Sequence, residues 1–170
     1  RQVIRLERTS VGSPEKLRMS LDMLEPEAAK QPVVVVTPAL AGVTEALVAA
    51  LAGASAGRLA VEAFVASIRE RHLALLSTVS SKAEIARVTS SLERELTTLE
   101  AYLREAASAR GRDARDRDVL LATGERLAAL ILTAALRSRG LQARPVHAAE
   151  DASDDAVRAG AAGATWVEAA

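Results

Sequence analysis

The run Val33-Val34-Val35-Val36-Thr37-Pro38-Ala39-Leu40-Ala41-Gly42-Val43-Thr44 decides the fold class. Four consecutive valines without polar alternation predict a strand covered on both faces, as in a parallel sheet. Pro38 ends it, because proline donates no ladder hydrogen bond. A helix is predicted over about 42–51, closed by Gly53.

Upstream, residues 3–6 form a short apolar run broken by Arg5, which predicts a first strand. Ser13 followed by Pro14 reads as an N-cap with proline at the first helical position, and Glu15 suits the helix dipole. That helix is predicted to run to about Leu24, where Glu25-Pro26 interrupts it.

Downstream, three long helices are predicted. In the first, Val61, Phe64, Ile68, His72, Leu75 and Val79 share a stripe. In the second, Ile85, Val88, Leu92, Leu96, Leu99, Leu103 and Ala106 follow spacings of 3, 4, 4, 3, 4 and 3. That heptad seam serves either an internal core or an oligomer contact, flanked in both cases by Arg94, Glu95, Arg104 and Glu105. Residues 111–118 alternate Arg and Asp and read as a solvated loop. The third helix, about 117–139, is apolar on most sides, reads as the central helix and stops at Gly140. Strands are predicted over 143–147 and 164–167, with a short helix over 152–160. Strands alternating with helices give an α/β class: helix-rich, with a small, mostly parallel sheet.

Composition narrows the function. The chain has 170 residues, suited to one domain, with 49% hydrophobic but only 2% aromatic residues. An aliphatic core follows, and no aromatic surface for base stacking. Lys plus Arg equals Asp plus Glu at 22 each, which argues against nucleic acid or an anionic membrane as partner. There is no cysteine, hence no disulfide framework, thiolate metal site or cysteine nucleophile, and a cytoplasmic location is expected. The apolar stretch 32–53 carries Thr37, Pro38, Thr44 and Glu45 and reads poorly as a membrane span. His72 lies on an apolar stripe and reads as a packed core residue rather than a catalyst. His147 has no third partner for a triad or metal site. Glu150, Asp151, Asp154 and Asp155 lack the glycine and alternating ligands of a calcium loop.

Three segments in order resemble the amino-terminal half of an aspartate kinase catalytic domain, of the amino-acid kinase family. They are residues 9–18 (Thr-Ser-Val-Gly-Ser-Pro-Glu-Lys-Leu-Arg), residues 34–44, and Gly124-Glu125-Arg126-Leu127 with Ala134-Ala135-Leu136-Arg137 and Gly140-Leu141. The resemblance implies a truncated amino-acid-kinase domain: residues 1–170 as a single aspartate-kinase-like domain comprising the N-terminal lobe only.

The resemblance also implies roles, residue by residue. The family's first strand ends Lys-Phe-Gly-Gly-Thr-Ser, where this chain has Arg5-Leu6-Glu7-Arg8-Thr9-Ser10. The lysine neutralises the transferring phosphoryl group, and the glycines let backbone amides approach it. Arg5, at the lysine position, keeps the charge but not the compact ammonium. Glu7 and Arg8 add side chains where phosphates pass. Pro38 stands where the family has serine. Thr9, Ser10, Thr44 and Glu125 match the substrate side, Thr44 near the bound aspartate and Glu125 as the carboxylate that engages its amino group.

Each of these has a plainer reading. Arg5 is also a solvated strand end. Thr9, Ser10 and Ser13 suit turn and cap chemistry, and Glu125 could pair with Arg126 or another arginine. The family's nucleotide lobe, which holds adenine, ribose and magnesium, follows the position of Val167 and is not expected here.

The leading expectation is a non-catalytic aspartate-kinase-like protein that associates as a homodimer or with a protein partner and needs no cofactor or metal. The alternatives are a diverged or split aspartate kinase that uses ATP and Mg once a second chain completes it, and a sensor of L-aspartate or a related amino acid.

Overall fold

The computed structural model describes residues 2–108, 114–147 and 165–170. Its elements run β1 (Gln2–Arg5), a 3-10 helix (Arg8–Val11), α1 (Pro14–Lys30), β2 (Val33–Val36), α2 (Val43–Ser55), α3 (Val61–Val79), α4 (Lys82–Ser108), α5 (Ala114–Ser138), β3 (Ala143–His147) and β4 (Thr165–Ala169). The expected helix over 152–160, the acidic cluster and residues 111–113 of the charged segment lie outside the described residues, whereas 114–118, expected as loop, form the first turns of α5.

The valine run forms β2, buried at all four positions. Val33 and Val35 join the main core, while Val34 and Val36 form a second cluster with Val146 and Trp166 on the opposite face. The α/β, helix-rich character is as expected. The sheet is mixed, with order β1-β2-β4-β3. Contrary to the mostly parallel sheet expected, only β1 and β2 pair in parallel among the described residues. β4 runs antiparallel to both β2 and β3.

α1 differs from expectation at its end. It passes through Pro26 and stops at Gln31, which is extended immediately before Pro32. Leu17, Leu21, Leu24 and Ala28 form one buried stripe across the proline, which itself lies on the exposed face. Burial of Ala28 on that stripe carries the helix past the missing amide. α2 likewise runs past Gly53. Gly57 closes it at φ 66°, with Arg58 N bonded to Gly53 O at 2.8 Å and Gly57 N to Ala54 O at 2.9 Å. Gly140, at φ 88°, closes α5 in the same way as the sequence suggests.

The heptad seam of α4 is internal. Leu92, Leu96 and Leu103 have no exposed surface, and α4 packs on α2, α3 and α5. Two of its flanking charges pair with neighbouring helices of the same chain: Glu95 with Arg126 of α5, and Arg104, at the surface, with Glu62 of α3. Residues 118–138 of α5 are apolar and long enough to cross a membrane, but 72% of that window is buried within the protein, as befits a core helix. His72 is fully buried, with Nδ1 2.7 Å from Ile68 O, so the core reading holds.

Candidate functional site

The carboxyl ends of the parallel pair β1–β2 lead into two turns. After Arg5, the Leu6 amide donates to Val36 O at 2.9 Å and extends the ladder by one residue. Leu6 is buried, and the hydrophobic anchor sends Glu7 and Arg8 outward. The 3-10 helix Arg8–Val11 then turns the chain into α1. Ser13 caps α1, accepting from the Lys16 amide at 3.3 Å. Glu15 in the first turn is held below its usual carboxylate range, first by its own backbone amide and then by the Ser13 hydroxyl.

The second turn follows β2. Thr37 is buried and its hydroxyl reaches Pro38 O at 3.2 Å. Gly42 adopts φ 77°, a left-handed conformation that enters α2 at Val43. Arg71 of α3 donates to the Ala41 carbonyl, so a guanidinium lies on this turn. The two turns touch: a Cβ on Gly12 would sit 3.6 Å from Ala41 Cβ. Arg8 and Glu45, in the first turn of α2, form an ion pair at 2.9 Å.

α5 closes the site from the side. A Cβ on Gly124 would lie 3.0 Å from Ala39 Cβ, 3.2 Å from Leu47 and 3.3 Å from Val43. Glycine therefore lets the α5 backbone press against the turn and α2, despite its cost within a helix. The neighbouring Glu125 is half-buried, and its carboxylate accepts from the Thr165 backbone amide at the start of β4. Burial raises its pKa, while that amide and Arg126 oppose the shift. Arg126 is not its ion-pair partner. It binds Glu95 at 2.7 Å and Thr123 at 3.0 Å.

Glu125 in α5 and Thr44 in the first turn of α2 are both half-buried. Thr9 and Ser10 line a hollow of about 360 Å³ with Lys16, Met19, Ser20 and Met23. Ser10 O accepts the Ser20 hydroxyl at 3.0 Å, and Ser13 is a helix cap. Arg5 is exposed at the strand end. Among the described residues, no group of three or more His, Asp or Glu could hold a metal ion. Sequence reasoning missed Arg71 and the Arg8–Glu45 pair, whose partners are 30 and 37 positions apart and share no motif.

No protein-family profile and no curated protein matches the chain. Solved structures do. Escherichia coli aspartokinase III in complex with aspartate and ADP, in the R-state, matches with a TM-score of 0.68 at 26% identity, over 83% of this chain and 30% of that one. The same enzyme in complex with lysine and aspartate, in the T-state, matches with a TM-score of 0.66 at 26% identity, over 82% of this chain and 29% of the other. The chain has an aspartokinase-like fold and spans about 30% of the length of the aspartokinase III chain it matches.

Proposed function

We propose that this chain is a non-catalytic relative of aspartate kinases, acting in the cytoplasm through association with another protein chain rather than by phosphoryl transfer. The observation that carries the reading is the Arg8–Glu45 ion pair. It spans the two turns at the carboxyl ends of β1 and β2, where ligands of open α/β sheets bind. A phosphate entering there would meet the Glu45 and Glu7 carboxylates, and it would have to displace Arg8 from its partner. Phosphoryl transfer depends on positioning and on neutralising charge, and an anionic side chain beside the turn opposes the second. Pro38 adds no hydroxyl and no amide donor at the adjoining turn.

The acceptor side is altered too. Glu125 is engaged with the Thr165 amide, so an amino group arriving there would share the carboxylate with a backbone donor already in place.

An ADP-release assay with MgATP and aspartate tests the proposal. No turnover above background is expected from the chain, alone or after R8G and E45A substitution. Turnover by the unsubstituted chain would establish the enzyme reading. Aspartate binding that is lost in E125A, without turnover, would instead favour an amino-acid sensor.

A further inference from the structure

The start of α1, the turn after β2 and one face of α3 enclose a second hollow, of about 230 Å³. Its inner wall is apolar: Val11, Leu40 and Leu75 are buried. The less buried Pro14 and Ala74 continue that surface outward.

Three polar side chains complete the lining, and two of them are already committed. The Ser13 hydroxyl accepts from the Lys16 amide at 3.3 Å and bonds the Glu15 carboxylate. The Thr78 hydroxyl donates to Ala74 O at 2.8 Å. The third is Arg71, which donates from Nη2 to the Ala41 carbonyl. A guanidinium carries five N–H donors, so one such bond leaves most of them for a ligand. Both terminal nitrogens stand 3.6 Å from where a Gly42 Cβ would be, which places the guanidinium over the turn. Arg18 brings a second cation to the hollow, donating to Thr78 O at 2.9 Å. The carboxylate of Glu15 is engaged by its own amide, by Ser13 and by the charge of Arg18.

We infer that this hollow binds a small aliphatic monocarboxylate, with the carboxylate on Arg71 and the hydrocarbon body against Val11, Leu40 and Leu75. An arginine fork matches a carboxylate through paired, charge-assisted hydrogen bonds. The rest of the wall offers only apolar contact, so a second polar group on the ligand would lose water without gaining a partner. An α-amino acid is disfavoured for that reason, since its ammonium would lie beside Arg71 and Arg18. The volume falls below the roughly 300–1,000 Å³ of drug-sized sites, which calls for a compact ligand. Neither Thr44 nor Glu125 lines this hollow, so the inference stands apart from the non-catalytic reading.

Isocaproate, isocaproamide and leucine share one branched hydrocarbon body and differ in charge. Each is titrated into the full chain and followed in amide proton–nitrogen correlation spectra. Isocaproate is expected to saturate with a dissociation constant on the order of a millimolar, with shifts centred on the Gly12 and Ala74 amides. Isocaproamide and leucine are expected to bind at least about tenfold more weakly, and R71Q to weaken isocaproate by a similar factor. A74L places a good helix former at an exposed position and fills the hollow, so it should abolish binding with Arg71 intact and carries the test if R71Q does not fold. E125A should leave isocaproate binding unchanged.

No saturation by about 50 mM isocaproate overturns the inference. Equal affinity for the acid and its amide, binding that survives both R71Q and A74L, or loss of binding in E125A also overturns it. Turnover with MgATP and aspartate would defeat the non-catalytic reading and leave this one standing.

Discussion

Arg8 Nη1 lies 2.9 Å from Glu45 Oε1, tying the turn after β1 to the first turn of α2. Both side chains remain about 60% exposed (62% and 63%), so the pair's effect on stability is small. Its bearing on the site is that it joins the two turns through one cation and one anion already paired with each other.

A double-mutant cycle over R8A and E45A measures this pair by chemical denaturation. A coupling of about 0.2–1 kcal/mol is expected at low salt, shrinking toward zero near 1 M salt. No coupling at low salt would show that the pair does not persist in solution.

Glu125 gives the chain a pH dependence of definite sign. Its folded pKa is raised above 4.5, chiefly by burial, so the folded state holds the proton more tightly than the unfolded one. Its contribution to stability is full below about 4.5 and is lost as pH rises through the raised value. E125Q should remove that decline, leaving the variant's stability relative to wild type greater at pH 7 than at pH 4. The reverse trend in thermal melts would mean that the Thr165 amide outweighs burial.

His72 acts at the acid side. Burial, then the charge of Arg71, lowers its pKa below 6.5, against the Ile68 carbonyl contact. The unfolded chain takes up the proton first, so stability is present above about 6.5 and falls as pH drops below it. H72L should flatten this limb in melts between pH 7 and pH 5. An unchanged limb in H72L would assign the effect to other groups.

Leu96 separates core from interface. It is fully buried within α4, so L96A should lose about 2–5 kcal/mol of stability through the cavity it leaves. Under conditions where it stays folded, its self-association should match that of the unsubstituted chain. A loss of association without a loss of stability would make the heptad seam an interface after all.

Much of this fold is legible in the sequence, and the reasons are local. The valine run, the Ser13-Pro14 cap and the Gly140 stop each act within a few residues. The failures are non-local. Pro26 reads as a helix end because its ring and missing amide are visible, whereas the buried stripe that carries α1 past it depends on packing against other helices. Gly57 rather than Gly53 takes the left-handed conformation that ends α2, which composition does not encode. The direction of β4 is a matter of tertiary pairing that residues 165–169 do not encode, so its antiparallel pairing with β2 was not readable from them. For the site, Glu125 and Thr44 are picked out by motif. The Arg8–Glu45 ion pair joins residues 37 positions apart and has no pattern to find.

The central claim, that this chain does not bind a nucleotide for transfer, is tested most directly by calorimetric titration of the purified chain with MgATP in the presence of aspartate. The account predicts no saturable heat at concentrations that would saturate an intact aspartate kinase. Saturable binding would contradict it, showing that a nucleotide site forms despite Glu7, Arg8 and Pro38.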